Sequence, residues 1–280
     1  MCRSVSCRCV KSSRKLSWKK GACVKHSDQH ADRRLWIRSL IWGLLLVVCV
    51  VGIAHAEGLF RWLEPDARQV IYQRAQFYEL LGRHLLVVGI AALVTIFFGV
   101  GAGIAVTRKK GRDFLPLVAQ LASLGQTFPP VAVLALAVPV LGFGTLPIII
   151  ALMLYGLLPI VRNTLAGLQD VNEEIKVASR AMGMTPLQTL YQVELPLAAP
   201  VILAGIRTSV TINIATAALG ATVGASNLGD PIIAGIINGN MAYVTQGALI
   251  IALLALTIDS LFDGLQGRLR QRLSSPQRLS

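Results

Sequence analysis

Long apolar runs constrain this chain more than any other feature. Several approach the ~20 residues that cross a bilayer as a helix. Hydrocarbon offers no hydrogen-bond partner, so a spanning segment must satisfy its own backbone, and a helix does so within itself. The expected class is therefore all-α integral membrane, with about six transmembrane helices. The spans expected are Trp36–Ala54, His84–Val106, Phe114–Val140, Thr145–Val161, Ala199–Ala221 and Val244–Phe262. The third is long for one crossing. Pro129, Pro130 and Pro139 interrupt it, which predicts a tilted or broken span.

The formal net charge of +13 is strongly basic. A basic excess can serve nucleic acid, but here Lys and Arg gather outside the spans and on one side. The N-terminal segment holds Arg3, Arg8, Lys11, Arg14, Lys15, Lys19, Lys20, Lys25, Arg33, Arg34 and Arg38; the loop after span two holds Arg108, Lys109, Lys110 and Arg112; the tail holds Arg268, Arg270, Arg272 and Arg278. Six spans put all three on one face, which the positive-inside rule makes cytoplasmic. On the opposite face, Arg61, Arg68, Arg74 and Arg83 are diluted by Glu57, Glu64, Asp66 and Glu79, and Thr222–Tyr243 has no Lys or Arg. The charge is topological: both termini are expected in the cytoplasm, the lipid bilayer is the partner of the spans, and no nucleic acid is expected.

The chain divides into a basic N-terminal extension (1–34), a transmembrane domain (35–264) with a cytoplasmic loop (162–198), and a basic tail (265–280). The extension carries Cys2, Cys7, Cys9, Cys23, His26 and His30. Their spacing does not match a usual zinc finger, and an apolar core is missing, so a disordered basic segment is expected rather than a metal site. Ala54-His55-Ala56 resembles a cleavage site after an apolar run, but the basic region before it is very long for a signal, so an uncleaved first span is expected.

Gly99, Gly101 and Gly103 lie inside an apolar helix with no strand before them, so they predict close helix packing rather than a phosphate loop. No Walker A pattern occurs, so the chain binds no ATP by a P-loop, and no cofactor is expected. No chain of buried Asp, Glu or His offers a proton relay, which weakens a stand-alone carrier. No metal cluster or Ser-His-Asp set supports an enzyme. Arg207 lies about two turns inside span five and is expected to snorkel or face the interior, while Asp259 and Asp263 are expected in solvent at the end of span six.

The cytoplasmic loop is the most organised segment. Asp170-Val-Asn-Glu173 has capping-box spacing, which predicts a helix from Val171 to about Met182. Gly183 permits a left-handed cap. Thr185-Pro186-Leu-Gln188 predicts a second helix with Thr185 as N-cap and Pro186 at its first position, ended by Pro196. Ala178, Ser179 and Ala181 make one side shallow enough for another protein, and Met182, Met184 and Leu187 add adaptable apolar contacts. An ordinary loop packed on its own bundle is the competing reading.

The pattern Ala178-Ser179-x3-Gly183-x9-Val193-x-Leu195-Pro196 resembles the EAA signature of ABC-importer permeases, EAA-x3-G-x9-I-x-LP. Val177 stands where that signature has glutamate, and Ser179 where it has its second alanine. Gly125–Leu168, Glu194–Val210 and Gly220–Ile236 resemble one branch, the importers of osmoprotectants (glycine betaine, choline and related quaternary amines), and most of all the Yeh-type (Osm-type) permeases. The resemblance runs roughly from Gly82 to Gly264. It implies a type I ABC-importer permease fold and a second permease subunit, identical or homologous. It also implies a cytoplasmic ABC ATPase dimer that binds the ATP, and a periplasmic substrate-binding protein. The site would be the bacterial inner membrane. Val177, Ala178, Ser179, Gly183, Met184, Leu195 and Pro196 would form the ATPase-coupling element. An importer for another small solute, such as an amino acid or nitrate, is the alternative, and a carrier or channel the more distant one.

Quaternary amines suit aromatic cages. The spans offer Phe97, Phe98, Phe128, Phe143 and Tyr155 at scattered positions, and scattered aromatics more often pack or meet lipid. Phe128, Tyr155 and Asn213 are taken as the substrate-path candidates. Asp230-Pro231 predicts a short outer helix with Ile232, Ile233, Ile236 and Ile237, among glycines that let it flex.

Overall fold

The computed structural model describes residues 21–108 and 111–274; the side chains of residues 21–35, 124–125 and 272–274 are outside the description. The elements are α1 (Gly21–Gly52), α2 (Glu57–Leu63), α3 (Phe77–Thr107), α4 (Leu115–Thr127), α5 (Pro130–Leu141), α6 (Thr145–Gln169), α7 (Glu173–Ala181), α8 (Pro186–Thr189), α9 (Leu195–Ala217), α10 (Asp230–Asn238) and α11 (Met241–Ser274). All the described regular structure is helical, as the apolar runs predict.

Five helical segments are long and apolar enough to cross a membrane: Trp36–His55, Phe77–Thr107, Thr145–Gln169, Pro186–Val223 and Met241–Gln271. The expected third span is not one of them. It is split into α4 and α5 at Phe128 and Pro129, both extended, because Pro129 forces its predecessor out of the helical region. The pair still runs the full depth of α6. Ala122 of α4 packs with Leu158, Val161 and Leu165, and the Tyr155 hydroxyl donates to the Phe128 carbonyl at the break. Beyond α5, the Gly144 N–H donates to Val223 O (2.7 Å). Six passes therefore result, one of them broken.

Helix also reaches into the segments that flank the expected transmembrane domain. The described part of α1 extends back to Gly21, within the N-terminal extension. Cys2, Cys7 and Cys9 lie outside the described residues, as do the side chains of Cys23, His26 and His30. Helix α11 continues to Ser274, into the basic tail.

Glycines set the packing. Lipid is as apolar as leucine, so helices here associate by close approach rather than by the hydrophobic effect. Helices α6 and α9 cross antiparallel at three glycines. A Cβ on Gly205 would lie 2.6 Å from Asn163 Cβ and 2.7 Å from Pro159 O; on Gly167 it would lie 3.1 Å from Ala198 O; on Gly156, 2.5 Å from Ser209 Oγ. Helix α3 runs parallel to α6, with Gly99 against Ile160 and Gly103 against Thr164. The expected role of these α3 glycines in packing is thus observed; Gly101 meets nothing.

At the outer end, side-chain amides hold the loops. Gln246 of α11 donates to Val70 O (2.5 Å) and accepts from Tyr72 N (3.1 Å). Asn227 donates to Ala217 O (3.0 Å) and Ala225 O (2.9 Å) and accepts from Gly229 N (2.6 Å), which folds the bend between α9 and α10. Helix α10 follows with Pro231 in its first turn, as expected, and leaves Ile236 and Ile237 exposed.

At the other end the polar contacts are ionic. Arg207 grips Asp259 through Nε (2.6 Å) and Nη2 (2.7 Å), and its Nη1 bonds Asp263, whose other oxygen takes Arg38. This ties α1, α9 and α11 together. It corrects the expectation that Asp259 and Asp263 are simply solvated: the Arg207 side chain is only a quarter exposed, and a guanidinium there needs fixed carboxylates. Arg207→Gln would leave Asp259 without its cation, beside an Asp263 held by Arg38 alone. The expected loss is about 1–3 kcal/mol, below that of a fully buried pair because solvent still reaches the site. It is read as a lower melting temperature of the detergent-purified protein, partly restored by adding Asp259→Asn.

Candidate functional site

Between α6 and α9 the chain leaves the bundle and returns as an elbow. It emerges at the end that also carries Arg38, Arg108 and the α11 terminus. Its first arm, α7, starts two residues later than the spacing of Asp170 and Glu173 predicts. Asn172 is the N-cap, and its Oδ1 accepts from Glu174 N (2.8 Å). Asp170 instead sits at the end of α6, still helical, where its own N–H bonds Ala166 O. Glu173 then serves α7 differently, from its first turn, pairing with Lys176 (3.4 Å) and with Arg180 (3.1 Å) in the last turn.

The turn is as expected. Gly183 has φ +81°, Met184 N–H donates to Ser179 O (3.1 Å) and Gly183 N–H to Arg180 O (3.0 Å), which is a Schellman cap. The second arm opens with a full capping box. Thr185 Oγ1 accepts from Gln188 N (3.3 Å), and Gln188 Oε1 accepts from Thr185 N (2.8 Å), with Pro186 in the first turn.

The far end of this arm differs from expectation. Pro196 does not end the helix. A π-helical turn, Leu190–Glu194, joins α8 directly to α9, and Pro196 lies in the first turn of α9. A proline in a helix lacks an N–H and presses its ring on the carbonyl four residues back; the wider π-turn just before it relieves both. The second arm is therefore one piece with a membrane-spanning helix, Pro186–Val223.

The two sides of the elbow are chemically distinct. Leu190, with Leu168, Ala198 and Ile202, packs against Val100, Ile104, Leu195 and Ile206 and fastens the elbow's root to α3, α6 and α9. Ser179 is also turned inward, 2% exposed, with its hydroxyl on Ile175 O (2.8 Å), so it anchors α7 rather than offering a shallow outer side. Ala178, Ala181 and Val177 stay exposed, as do Met182 (70%) and Leu187 (66%) near the turn and Tyr191. Met184 and Leu195 are half-buried and Pro196 is exposed. Large apolar side chains thus stand on the exposed surface of the elbow.

Sequence reasoning passed over one partner of the elbow. Glu194, at the position the signature leaves free, has a side chain only 9% exposed, and Arg108 at the end of α3 meets it with both Nη atoms (3.3 and 2.5 Å). The signal was there in the charge pattern: an acid beside Leu195-Pro196 in an apolar setting, and an arginine at the end of span two.

The candidate path residues separate. Phe128 lies exposed at the α4–α5 break, and Tyr155 is buried behind it, holding its carbonyl. Asn213 is fully buried in the α3–α6–α9 seam, near Gly156, and its amide finds no protein partner. Phe97, Phe98 and Phe143 are exposed on the bundle surface. Among the described residues no cluster of His, Cys, Asp and Glu could hold a metal.

Known proteins agree with this architecture. A family pattern for binding-protein-dependent transport system inner membrane components matches residues 96–275, which takes in the elbow. The chain is 44% identical over 179 residues to the osmoprotectant import permease protein OsmY of Salmonella typhimurium, covering 64% of this chain and 76% of that one. It is 37% identical over 202 residues to the choline transport system permease protein OpuBB of Bacillus subtilis, covering 72% and 88%. In fold it is similar to the MetNI methionine ABC transporter in inward-facing conformations, with a TM-score of 0.61 at 21% identity, over 69% of this chain and 95% of that one. With helices, elbow and matches in agreement, the chain belongs to the inner-membrane permease family of binding-protein-dependent ABC transporters, as a multi-pass, non-catalytic membrane subunit.

Proposed function

We propose that this chain is the permease of an ATP-driven importer for osmoprotectants, glycine betaine, choline or related quaternary amines, and that the elbow couples it to a cytoplasmic ATPase dimer. The observation that carries the coupling role is the exposed apolar side of a capped, rigid elbow with EAA spacing. Val177, Ala178, Gly183 and Met184 form its docking side, Ser179 anchors it, and Leu195 and Pro196 join it to α9. The cargo reading rests on relatives named for osmoprotectant and choline transport. A second permease subunit, identical or homologous, completes the path. A periplasmic binding protein delivers cargo to the face carrying α10, and both termini lie in the cytoplasm.

The mechanism follows from the joints. Closure of the ATPase dimer displaces the elbow, and the elbow moves as a unit because both its arms are capped. Its second arm is α9 itself, so the displacement enters the membrane through that helix. The path follows the α4–α5 break, lined by Phe128 with Tyr155 behind it. Asn213 meets cargo only when α3, α6 and α9 part. A permanent cation without a donor needs only weak contacts to pass, and aromatic faces supply them.

Vesicles containing the assembled permease pair and ATPase, with ATP inside and the binding protein outside, are expected to take up labelled glycine betaine; uptake that is the same without the ATPase would refute the coupling reading. Gly183→Val meets no steric neighbour but forces a β-branched residue to positive φ, at a cost of about 1–3 kcal/mol. Normal membrane insertion with poor ATPase co-purification and reduced uptake is expected, and Gly183→Asn should be milder. Leu187→Asp should weaken ATPase co-purification without lowering the melting temperature of the isolated chain.

A further inference from the structure

The elbow has a second connection to the bundle besides its continuity with α9. Glu194 closes the π-turn and Arg108 ends α3, and the two meet through both carboxylate oxygens and both terminal guanidinium nitrogens. We propose that the Arg108–Glu194 pair is a positioning contact that makes α3 move with the elbow, so that ATP-driven displacement reaches two spanning helices instead of one. This rests on the coupling role proposed above.

Four observations point to it. The pair is bidentate, and a fork on a carboxylate fixes relative orientation as well as distance. Glu194 is nearly enclosed, so its charge is not left to water, and separating it from Arg108 without another partner is costly. The charge of Arg108 also suits its helix: it sits at the C-terminal end of α3, where the dipole favours a cation. Finally, the pair lies at the hinge itself. Below it the chain is the elbow; above it α3 and α9 continue into the bundle, with Val100 and Ile104 of α3 in the cluster that seats Leu190. A purely apolar contact there could slide. The ion pair holds α3 in register with the π-turn.

This contact differs from the Arg207 cluster, which joins helices within the bundle and does not touch the elbow. It also differs from the docking side, since neither Arg108 nor Glu194 belongs to the exposed apolar surface.

The test uses the full chain assembled with its partner permease and ATPase in vesicles, with the binding protein supplied outside, measuring ATP hydrolysis and labelled glycine betaine uptake on the same samples. Arg108→Gln and Glu194→Gln should lower uptake per ATP hydrolysed about fivefold or more, the scale of a typical coupling interaction, while the ATPase still co-purifies and hydrolyses ATP. The exchange variant Arg108→Glu/Glu194→Arg should recover much of the ratio. An unchanged ratio in both single variants would overturn the proposal. So would parallel loss of hydrolysis, co-purification and uptake without recovery in the exchange variant, which marks a merely structural contact. If the unaltered chain shows no ATPase-dependent uptake, the transport reading itself fails and takes this one with it; normal uptake by the unaltered chain with unchanged variants overturns the pairing role alone.

Discussion

Backbone contact between α6 and α9 is the constraint on which the rest depends. In lipid, two helices gain by touching only if they come close enough for their backbones to meet, and Gly156, Gly167 and Gly205 make that possible at three levels of one crossing. Helix α3 then lies along α6 by the same means, at Gly99 and Gly103. These three helices form the frame. The split pair α4–α5 leans on α6 at its proline break, α11 joins through Arg207, and α1 follows α11, with Gly43 near Thr257 and Gly264 against Trp36.

Polar groups are distributed unevenly along that frame. At the outer end Gln246 and Asn227 use every amide atom on backbone groups. At the elbow end Arg207, Asp259, Asp263 and Arg38 satisfy one another. In the middle, Ser209 and Asn213 on α9 are fully buried, and the Ser209 hydroxyl and both Asn213 amide atoms find no protein partner. A buried polar group without a partner gives up part of its binding free energy to the closed packing. The seam is thus clamped at both ends and least committed at its centre, where the proposed path would need it to part.

Much of this was legible in the sequence, and the failures share a cause. Apolar runs and charge placement identified the spans, and the caps at Gly183 and Thr185 were readable because they depend on residues within a few positions. The start of α7 was misplaced because Asp170 and Asn172 both match the capping rule, and only the path of the chain leaving α6 selects Asn172. The Asp259–Arg207 and Glu194–Arg108 pairs were missed because each joins residues more than fifty positions apart. Ser179 was read as an outward small residue; its inward turn follows from how α7 lies on the root cluster, which no local pattern encodes.

Pro196 carries the largest consequence. A proline after a short helix predicts a stop, and a stop would leave the elbow hanging from the bundle by a flexible joint. The π-turn at Leu190–Glu194 instead widens the helix just ahead of the ring, so the chain passes from elbow to span without losing helical continuity. A flexible joint would absorb a push on the elbow. A continuous helix transmits it along the axis of α9, past the glycine contacts with α6 and into the centre of the seam, where the polar side chains are unpartnered. On the proposed coupling role, the local irregularity at the signature's end is what would make a surface insert a lever.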